Sequence, residues 1–343
     1  MGCKSLTYLD LSHFNSDSHA RLDSFFENCE SLTSINLSGF STKGVTTFYS
    51  MFGKCSSLKQ LDLSSFDFSE ANTINRMFLD CKSLTNLNIP ITKSDNLREI
   101  NYAFYNCHSL KYLNLDSLIG KNVKDMTSAF ENCRSLVSID LSKFEASPTS
   151  MIYAFENCNS LESISFPKLS TEKAGSFTNL FANCHSLKSI NLSNFNSKSS
   201  THFTNMFKNC YSLESIDLSH FTTNNIIGFD SMFESCSNLK SLDLSNFETS
   251  KGNDMSNMFH NCSSLETLKI NFDTVNVRRM NNMFGDCTSL KTLDISTFDT
   301  RTCISFDGIF ENDNDLELYV NLKTCSNLNI PEFVKVHNTA EDQ

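Results

Sequence analysis

A cysteine recurs through almost the whole chain at a nearly constant spacing. Twelve of the fourteen cysteines follow one another at intervals of 26 residues, with two intervals of 25: Cys3, Cys29, Cys55, Cys81, Cys107, Cys133, Cys158, Cys184, Cys210, Cys236, Cys262 and Cys287. One further interval ends on Asp313 instead of a cysteine. A fixed period of this length is typical of a repeat protein, because a unit that cannot bury its own apolar face must stack on its neighbours.

Apolar residues keep fixed distances from each of these cysteines. A leucine follows three residues later, as Leu265 follows Cys262, and a phenylalanine stands three residues before each cysteine from Cys29 onward, as Phe259 does here. Further aliphatic residues stand six and eight residues after the cysteine, as in Leu242 and Leu244. These positions are the predicted core.

Two periodicities alternate within the unit. Met255, Met258, Phe259 and Cys262 follow the i, i+3, i+4, i+7 rule, which predicts a short helix before each cysteine. The segment 242–244 alternates apolar and polar residues, which predicts a short strand. The sequence therefore predicts an α/β repeat, a curved solenoid with parallel short strands on the concave side and short helices on the convex side.

The repeat closely resembles the BspA-like leucine-rich repeat of bacterial surface proteins and of surface antigens of some protists. Residues 258–265, with the sequence Met-Phe-His-Asn-Cys-Ser-Ser-Leu, and residues 207–213 carry the resemblance well. It implies a leucine-rich-repeat solenoid over residues 1–325, about 13 turns with the last degenerate, and leaves 326–343 as a polar C-terminal tail. It also implies a non-catalytic protein at the cell surface or outside the cell, which binds a protein or glycan and mediates adhesion.

The unit departs from common leucine-rich repeats at one position. Those repeats place Asn or Cys three residues after the second strand leucine, where the side chain caps backbone groups of the next turn. Here that position is usually phenylalanine, as in Phe40, Phe66, Phe144, Phe195, Phe221 and Phe247. The backbone of the return loop must therefore find other hydrogen-bond partners.

The polar residue between the two strand aliphatics forms the candidate binding site, because successive turns stack it into one column on the predicted concave face. Tyr8 and Tyr112 flank that column near the start of the chain, and tyrosine is enriched at interaction hot spots. The predicted binding residues are Tyr8, Asp10, Asp62, Tyr112, Asn114, Asp140, Asp217, Asp243 and Asp294. Asp217 beside Asp243 would be an unfavourable like-charge contact unless solvent or a cation relieves it. Calcium is one candidate, but even spacing favours a solvated polar stripe.

Several other function classes are disfavoured. The net charge of −11, without a Lys/Arg cluster, argues against nucleic acid. The sequence contains no run of eighteen apolar residues, so it does not predict direct membrane insertion. The histidines do not converge on a nucleophile and a base, so we expect no enzyme, no catalytic residues and no cofactor.

The cysteines are expected to be reduced, buried thiols and not metal ligands, since each belongs to a different turn. Cys303 and Cys325 fall outside the ladder, and a bridge between them remains an alternative. The many unpaired thiols also leave open an intracellular, cytoplasmic scaffold of the same fold.

Overall fold

The chain folds into two compact units, Met1–Thr171 and Glu172–Gln343. The computed structural model describes residues 2–14, 21–90, 94–115, 121–141 and 144–341. Each unit is a stack of repeat turns and is described separately below. That residues 1–325 form one uninterrupted array stays a prediction from the sequence.

In the described part of the first unit there are seven short parallel strands. They are β1 (Tyr8–Asp10), β2 (Ser34–Asn36), β3 (Gln60–Asp62), β4 (Asn86–Asn88), β5 (Tyr112–Asn114), β6 (Ser138–Asp140) and β7 (Ser163–Ser165). Strand β1 pairs with β2, β3 with β4, and β5 with β6 and β6 with β7. The register joins equivalent residues, so that Leu113 lies beside Ile139 and Ile139 beside Ile164. Equivalent side chains of consecutive turns are therefore stacked in columns, as the period predicts.

The second unit contains five named strands, all with parallel partners. They are β8 (Ser241–Leu244), β9 (Thr267–Ile270), β10 (Thr292–Ile295), β11 (Glu317–Val320) and β12 (Lys335–Asn338). Strand β8 pairs with β9, and β11 lies between β10 and β12.

The structure corrects the prediction of a polar tail outside the repeats. Strand β12 lies within that segment and pairs with β11 in the register Glu317 to Lys335. The amide of Val334 donates to the carbonyl of Pro331 at 3.0 Å, as the amide of Leu290 donates to that of Cys287 at 2.8 Å. Because Val334 is also buried, residues 331–338 form an additional turn, here called the closing turn. Its strand follows the strand of the preceding turn after 18 residues, so the 26-residue period could not reveal it.

The predicted core positions are buried, and the phenylalanines before the cysteines form continuous stacks within each unit. In the second unit Phe207 stacks on Phe181 at 5.8 Å and on Phe233 at 5.7 Å between ring centroids. Each ladder thiol with a described donor bond gives its hydrogen to the phenylalanine carbonyl of the preceding turn, as Cys262 Sγ does to Phe233 O at 3.1 Å. Burial raises the pKa of Cys262 to about 12, so these thiols are neutral packing groups.

The predicted short helices are wrong. Among the residues described, the helical element is a single 3₁₀ turn, η1 (Thr339–Glu341). The apolar side chains are buried as predicted, namely Met255, Met258, Phe259 and Cys262. Each turn, however, contains two residues in the left-handed region, here Asn257 at φ 55° and Asn261. Left-handed residues interrupt an α-helix.

The hydrogen bonds of this segment run between turns instead of along a helix. The amide of Asn257 donates to the carbonyl of Asn281 at 2.8 Å, and that of Phe259 donates to Met283 at 2.9 Å. The intervening amides bond within the turn, as Met258 does to Met255 at 3.2 Å. The inference of a concave strand side depended on helices being wider than strands, so it loses its basis. We therefore call the outward side chains of the strands the strand face.

Buried hydroxyls replace the asparagine ladder of common leucine-rich repeats. Thr274, two residues after the phenylalanine that follows the strand, donates through Oγ1 to the carbonyl of Asp299 at 3.0 Å. The same oxygen accepts the amide of Asp299 at 2.8 Å. Thr42 makes the same pair of bonds to Asp67. One small hydroxyl thus satisfies both a donor and an acceptor in the next turn, which leaves the neighbouring position free for phenylalanine.

Candidate functional site

The strand face presents alternate residues of each strand to solvent. In β5, Tyr112 and Asn114 are exposed while Leu113 between them is buried. Tyr8 and Tyr112 are the most prominent aromatic residues on this face, with 53% and 67% of their surface exposed. The structure therefore places the predicted binding residues of the first unit on one accessible surface.

The acidic residues of the column have a local structural role that the sequence reasoning missed. Asp62 Oδ1 accepts the amide of Ser64 at 2.9 Å, and Asp10 Oδ1 accepts the amide of Ser12 at the same distance. Asn36 makes the corresponding bond with Ser38. This is the Asx turn, in which a short polar side chain bonds the backbone two residues later. The recurrent Asp-x-Ser and Asn-x-Ser pattern was the signal that could have predicted it.

These hydrogen bonds keep the carboxylates ionised. The pKa of Asp62 is lowered, chiefly by the backbone hydrogen bond from Ser64. The pKa of Asp10 is lowered for the same reason, by Ser12. Tyr8 donates its hydroxyl to Asp10 Oδ2 at 3.2 Å, so the first strand carries an aromatic ring joined to an anion.

Neighbouring turns of the first unit exchange polar contacts along the column. Asn88 donates through Nδ2 to Asp62 Oδ1 at 2.9 Å. Asn114 lies in register with Asp140 of the next strand. The alternation of Asp with Asn therefore lets adjacent turns pair without like-charge repulsion.

The predicted residues of the second unit are held by separate partners. Asp243 Oδ2 lies 3.4 Å from Lys269 Nζ of the next strand, and Asp243 also accepts the amide and hydroxyl of Ser245. Asp217 accepts the amide of Ser219 at 2.9 Å. The pKa of both carboxyls is lowered, first by their serine hydrogen bonds. The pKa of each carboxyl is therefore set first by its serine hydrogen bonds and not by the like-charge contact predicted between Asp217 and Asp243.

Asp294 makes the same Asx bond, to the amide of Ser296 at 2.8 Å. Beside it the column changes character, because its register partner is Tyr319. Tyr319 stacks on His337 of β12, with ring centroids 4.6 Å apart, and Glu317 forms an ion pair with Lys335 at 2.7 Å. Sequence reasoning missed this cluster because β12 lies outside the 26-residue period.

Shallow depressions occur at equivalent repeat positions in the two units. One, of about 270 Å³, is lined by Asn36, Ser38 and Asp62 together with neighbouring residues. The other, of about 290 Å³, is lined by Asn191, Ser193 and Asp217 in the same repeat positions. Their repetition indicates that they arise from the repeat geometry and not from one specialised turn.

Within the ranges that the structure describes, no three His, Cys, Asp or Glu side chains are grouped as a metal site would require. In the same ranges no helix is long and apolar enough to cross a membrane. All fourteen cysteines, Cys303 and Cys325 among them, are thiols and not disulfides. Cys3 is exposed and the others are buried.

Comparison with known proteins agrees with this repeat architecture. The family described as "Mycoplasma protein of unknown function, DUF285" matches residues 1–114, 149–265 and 229–339. The chain belongs to this family. Residues 71–205 match the BspA type leucine rich repeat region in six copies, which confirms the resemblance seen in the sequence. No curated protein matches the chain.

Several solved leucine-rich-repeat structures are similar to the chain. The pneumococcal vaccine antigen PcpA is 17% identical with a TM-score of 0.46, over 90% of this chain and 77% of that one. A leucine-rich repeat protein from Bacteroides ovatus is 19% identical with a TM-score of 0.40, over 85% and 87%. The Treponema protein TpLRR, from T. pallidum, is 21% identical with a TM-score of 0.32, over 59% and 77%. The fold assignment does not depend on these values, because the family match and the stacked parallel strands already establish it.

Proposed function

We propose that this protein is a non-catalytic leucine-rich-repeat protein, presented at the cell surface, that binds a protein partner through the strand face of its first unit. The BspA-type repeats support the class, since repeat proteins of this kind offer extended surfaces for binding. The exposure of Tyr8 and Tyr112 is the observation that carries the choice of surface.

The two tyrosines favour an extended contact over a small ligand. They stand on β1 and β5, four turns apart, which corresponds to about 19 Å at the usual strand spacing of about 4.8 Å. Tyrosine supplies a rigid apolar ring with a hydroxyl at its tip, a combination enriched at hot spots. The equivalent position in β6 and β7 is serine, so these aromatic rings are a particular feature of two turns and not of the repeat.

The chemistry of the strand face supports binding and not catalysis. A general base is most effective when its pKa lies near neutral pH, whereas the pKa of Asp10 and that of Asp62 are lowered by the serine amides they accept. Oδ1 of each carboxylate is already engaged by a backbone amide. These carboxylates therefore serve as fixed negative charges that can select a partner.

Binding of the purified full chain to an array of extracellular-matrix and host-cell surface proteins tests the proposal. We expect the double variant Tyr8→Ala/Tyr112→Ala to bind its target at least tenfold more weakly. The matched control is Tyr211→Ala, which removes a tyrosine of similar exposure, 41%, that is not on a strand. Equal binding by the double variant and the wild type would reject the strand face as the binding surface.

Surface presentation requires a separate measurement. Intact cells that produce the protein are treated with a membrane-impermeant amine-reactive label, to which the exposed lysines, such as Lys168, are accessible. Labelling in intact cells is expected. If label reaches the protein only after lysis, the intracellular scaffold is the better description.

A further inference from the structure

Asp313 occupies the place of a thiol in the cysteine ladder. The two preceding members of the column donate to carbonyl oxygens one turn back, Cys262 to Phe233 at 3.1 Å and Cys287 to Phe259 at 3.2 Å. Asp313 follows Cys287 by one period and is only 2% exposed. A titratable carboxyl therefore stands where the other turns place a group that stays neutral.

The carboxyl of Asp313 has no described hydrogen-bond partner at either oxygen. A buried polar group without a partner is costly, and a buried unpaired charge is costlier. In the protonated state, the O–H of Asp313 can donate to a backbone carbonyl as the thiols do, and Phe284 O is the carbonyl at the equivalent place. Phe284 O already accepts the amide of Cys287, but a carbonyl has a second lone pair. A carboxylate has no hydrogen to donate.

The charged groups around Asp313 also favour its neutral form. Asp286, in the preceding turn, adds a like charge, and no described cation lies within ion-pair distance of Asp313. Asp286 is itself held by Asn312 and lies 3.7 Å from His260. On the C-terminal side, the charged residue of segment 331–334 is Glu332, which is exposed. Burial raises the pKa of Asp313 to about 7, against a smaller opposing effect from the backbone amide of Cys287.

We propose that Asp313 is a proton-binding position that holds its own turn, residues 313–320, against the preceding turn when protonated and loosens that contact when ionised. The two turns are joined by the pairing of β11 with β10 and by the amide of Glu317, which donates to Lys291 O at 2.8 Å. Ionisation of the buried carboxyl acts on this interface, because the backbone of Cys287 and the carboxylate of Asp286, which act on Asp313, both belong to the preceding turn.

The direction of the pH effect follows from the raised pKa. A group whose pKa is higher in the folded state than in the unfolded state stabilises the fold at low pH, and this stabilisation is lost as the pH rises through the folded value. With an ordinary value of 3.8 and a folded value of about 7, the equilibrium constant for opening rises roughly 50- to 100-fold from about pH 5 to about pH 8. The turn of Asp313 is therefore expected to be held most firmly against the preceding turn in mildly acidic surroundings.

Amide hydrogen exchange of the full chain tests this proposal. The Glu317 amide, which donates to Lys291 O, reports on the interface between the turn of Asp313 and the preceding turn. Exchange rates are corrected for the intrinsic dependence on pH. The variant Asp313→Cys restores the ladder residue and removes the titrating carboxyl. We expect the opening constant of the wild type to rise several tens of times between about pH 5 and about pH 8, and that of D313C to change much less.

A second titrating group makes the matched control necessary. His337 lies 3.3 Å from Glu317, and histidine also changes charge between about pH 5 and about pH 8. D313C keeps that pair, so the difference between the two proteins isolates Asp313. An equal pH dependence in wild type and D313C would overturn the proposal. So would a D313N variant, neutral at every pH, that retains the dependence of the wild type.

Discussion

Replacement of Phe207 by alanine tests the central physical claim, that stacked phenylalanines hold consecutive turns together. Phe207 is fully buried and lies between Phe181 and Phe233, with interplanar angles of 10° and 13°. Truncating a buried phenylalanine typically costs about 3–5 kcal/mol, through lost burial and the cavity left behind. Because two ring pairs are lost at once, each with about 0.5–1.5 kcal/mol beyond its area, we expect the upper part of that range.

Urea unfolding followed by circular dichroism measures the loss, and hydrogen exchange locates it. We expect the free energy of unfolding to fall by about 4–5 kcal/mol and protection to decrease first in the turns that contain Phe181 and Phe233. Tyr211→Ala is the control, since Tyr211 is 41% exposed and stacks on His185, and it should cost less than about 1 kcal/mol. If Phe207→Ala cost no more than the control, the stacked column would not be what stabilises the array.

Three further predictions concern the thiols, the left-handed positions and the aspartate column. A thiol reagent added to the native protein should titrate one cysteine rapidly, Cys3, and all fourteen after denaturation; rapid reaction of several native thiols would contradict the buried ladder. Asn209, at φ 58°, donates to Asn183 Oδ1 at 2.7 Å, so Asn209→Val should lower the free energy of unfolding by roughly 2 kcal/mol or more, whereas Asn209→Gly should cost less in the same urea assay. Asp62→Ala should cost about 1 kcal/mol near neutral pH and Asp62→Asn less, because the amide oxygen still accepts from Ser64. Since the pKa of Asp62 is lowered, its contribution is present above about pH 4 and is lost as the pH falls further, so equal stability of wild type and Asp62→Ala at neutral pH would refute the role.

The sequence predicts the stacking of turns well, because the period and the alternation in the strands both express which side chains face inward. Leu113 beside Ile139 and Phe207 beside Phe233 are direct consequences of the spacing. It predicts the conformation of the pre-cysteine segment poorly. An i, i+3, i+4, i+7 pattern states that Met255 and Phe259 share a buried side, but it does not state that the backbone between them is helical.

The signal that contradicted the helix was present as polar residues at two fixed positions per turn. Asn257 and Asn261 stand five residues and one residue before Cys262, and asparagine tolerates the left-handed region better than most residues. Asn205 and Asn209 repeat the arrangement two cysteine intervals earlier. Two such residues, four positions apart, favour a series of turns in which the amides bond alternately within the turn and to the next turn.

The residues of the predicted site, apart from Asp217, lie on strands, whereas their chemistry could not be read from residue type alone. Aspartate between two strand aliphatics is compatible with a ligand site and with an Asx turn, and only the bond from Ser64 to Asp62 distinguishes the second role. By contrast, most of the surface of Tyr8 and of Tyr112 is exposed to solvent. They therefore remain the sharper test of binding, and the aspartates are better understood as residues that shape the strand exit and set its charge.

The burial of the thiols changes the weight of the two cellular locations. Many unpaired cysteines ordinarily favour a reducing compartment, because exposed thiols are oxidised outside the cell. Oxidation requires thiolate and access, and every ladder cysteine except Cys3 is buried. Burial also raises the pKa of Cys133 and that of Cys210 to about 12. A ladder of this kind is chemically inert in either compartment, so the thiol count does not favour the intracellular scaffold, and the BspA-type repeats are left as the stronger indication of location.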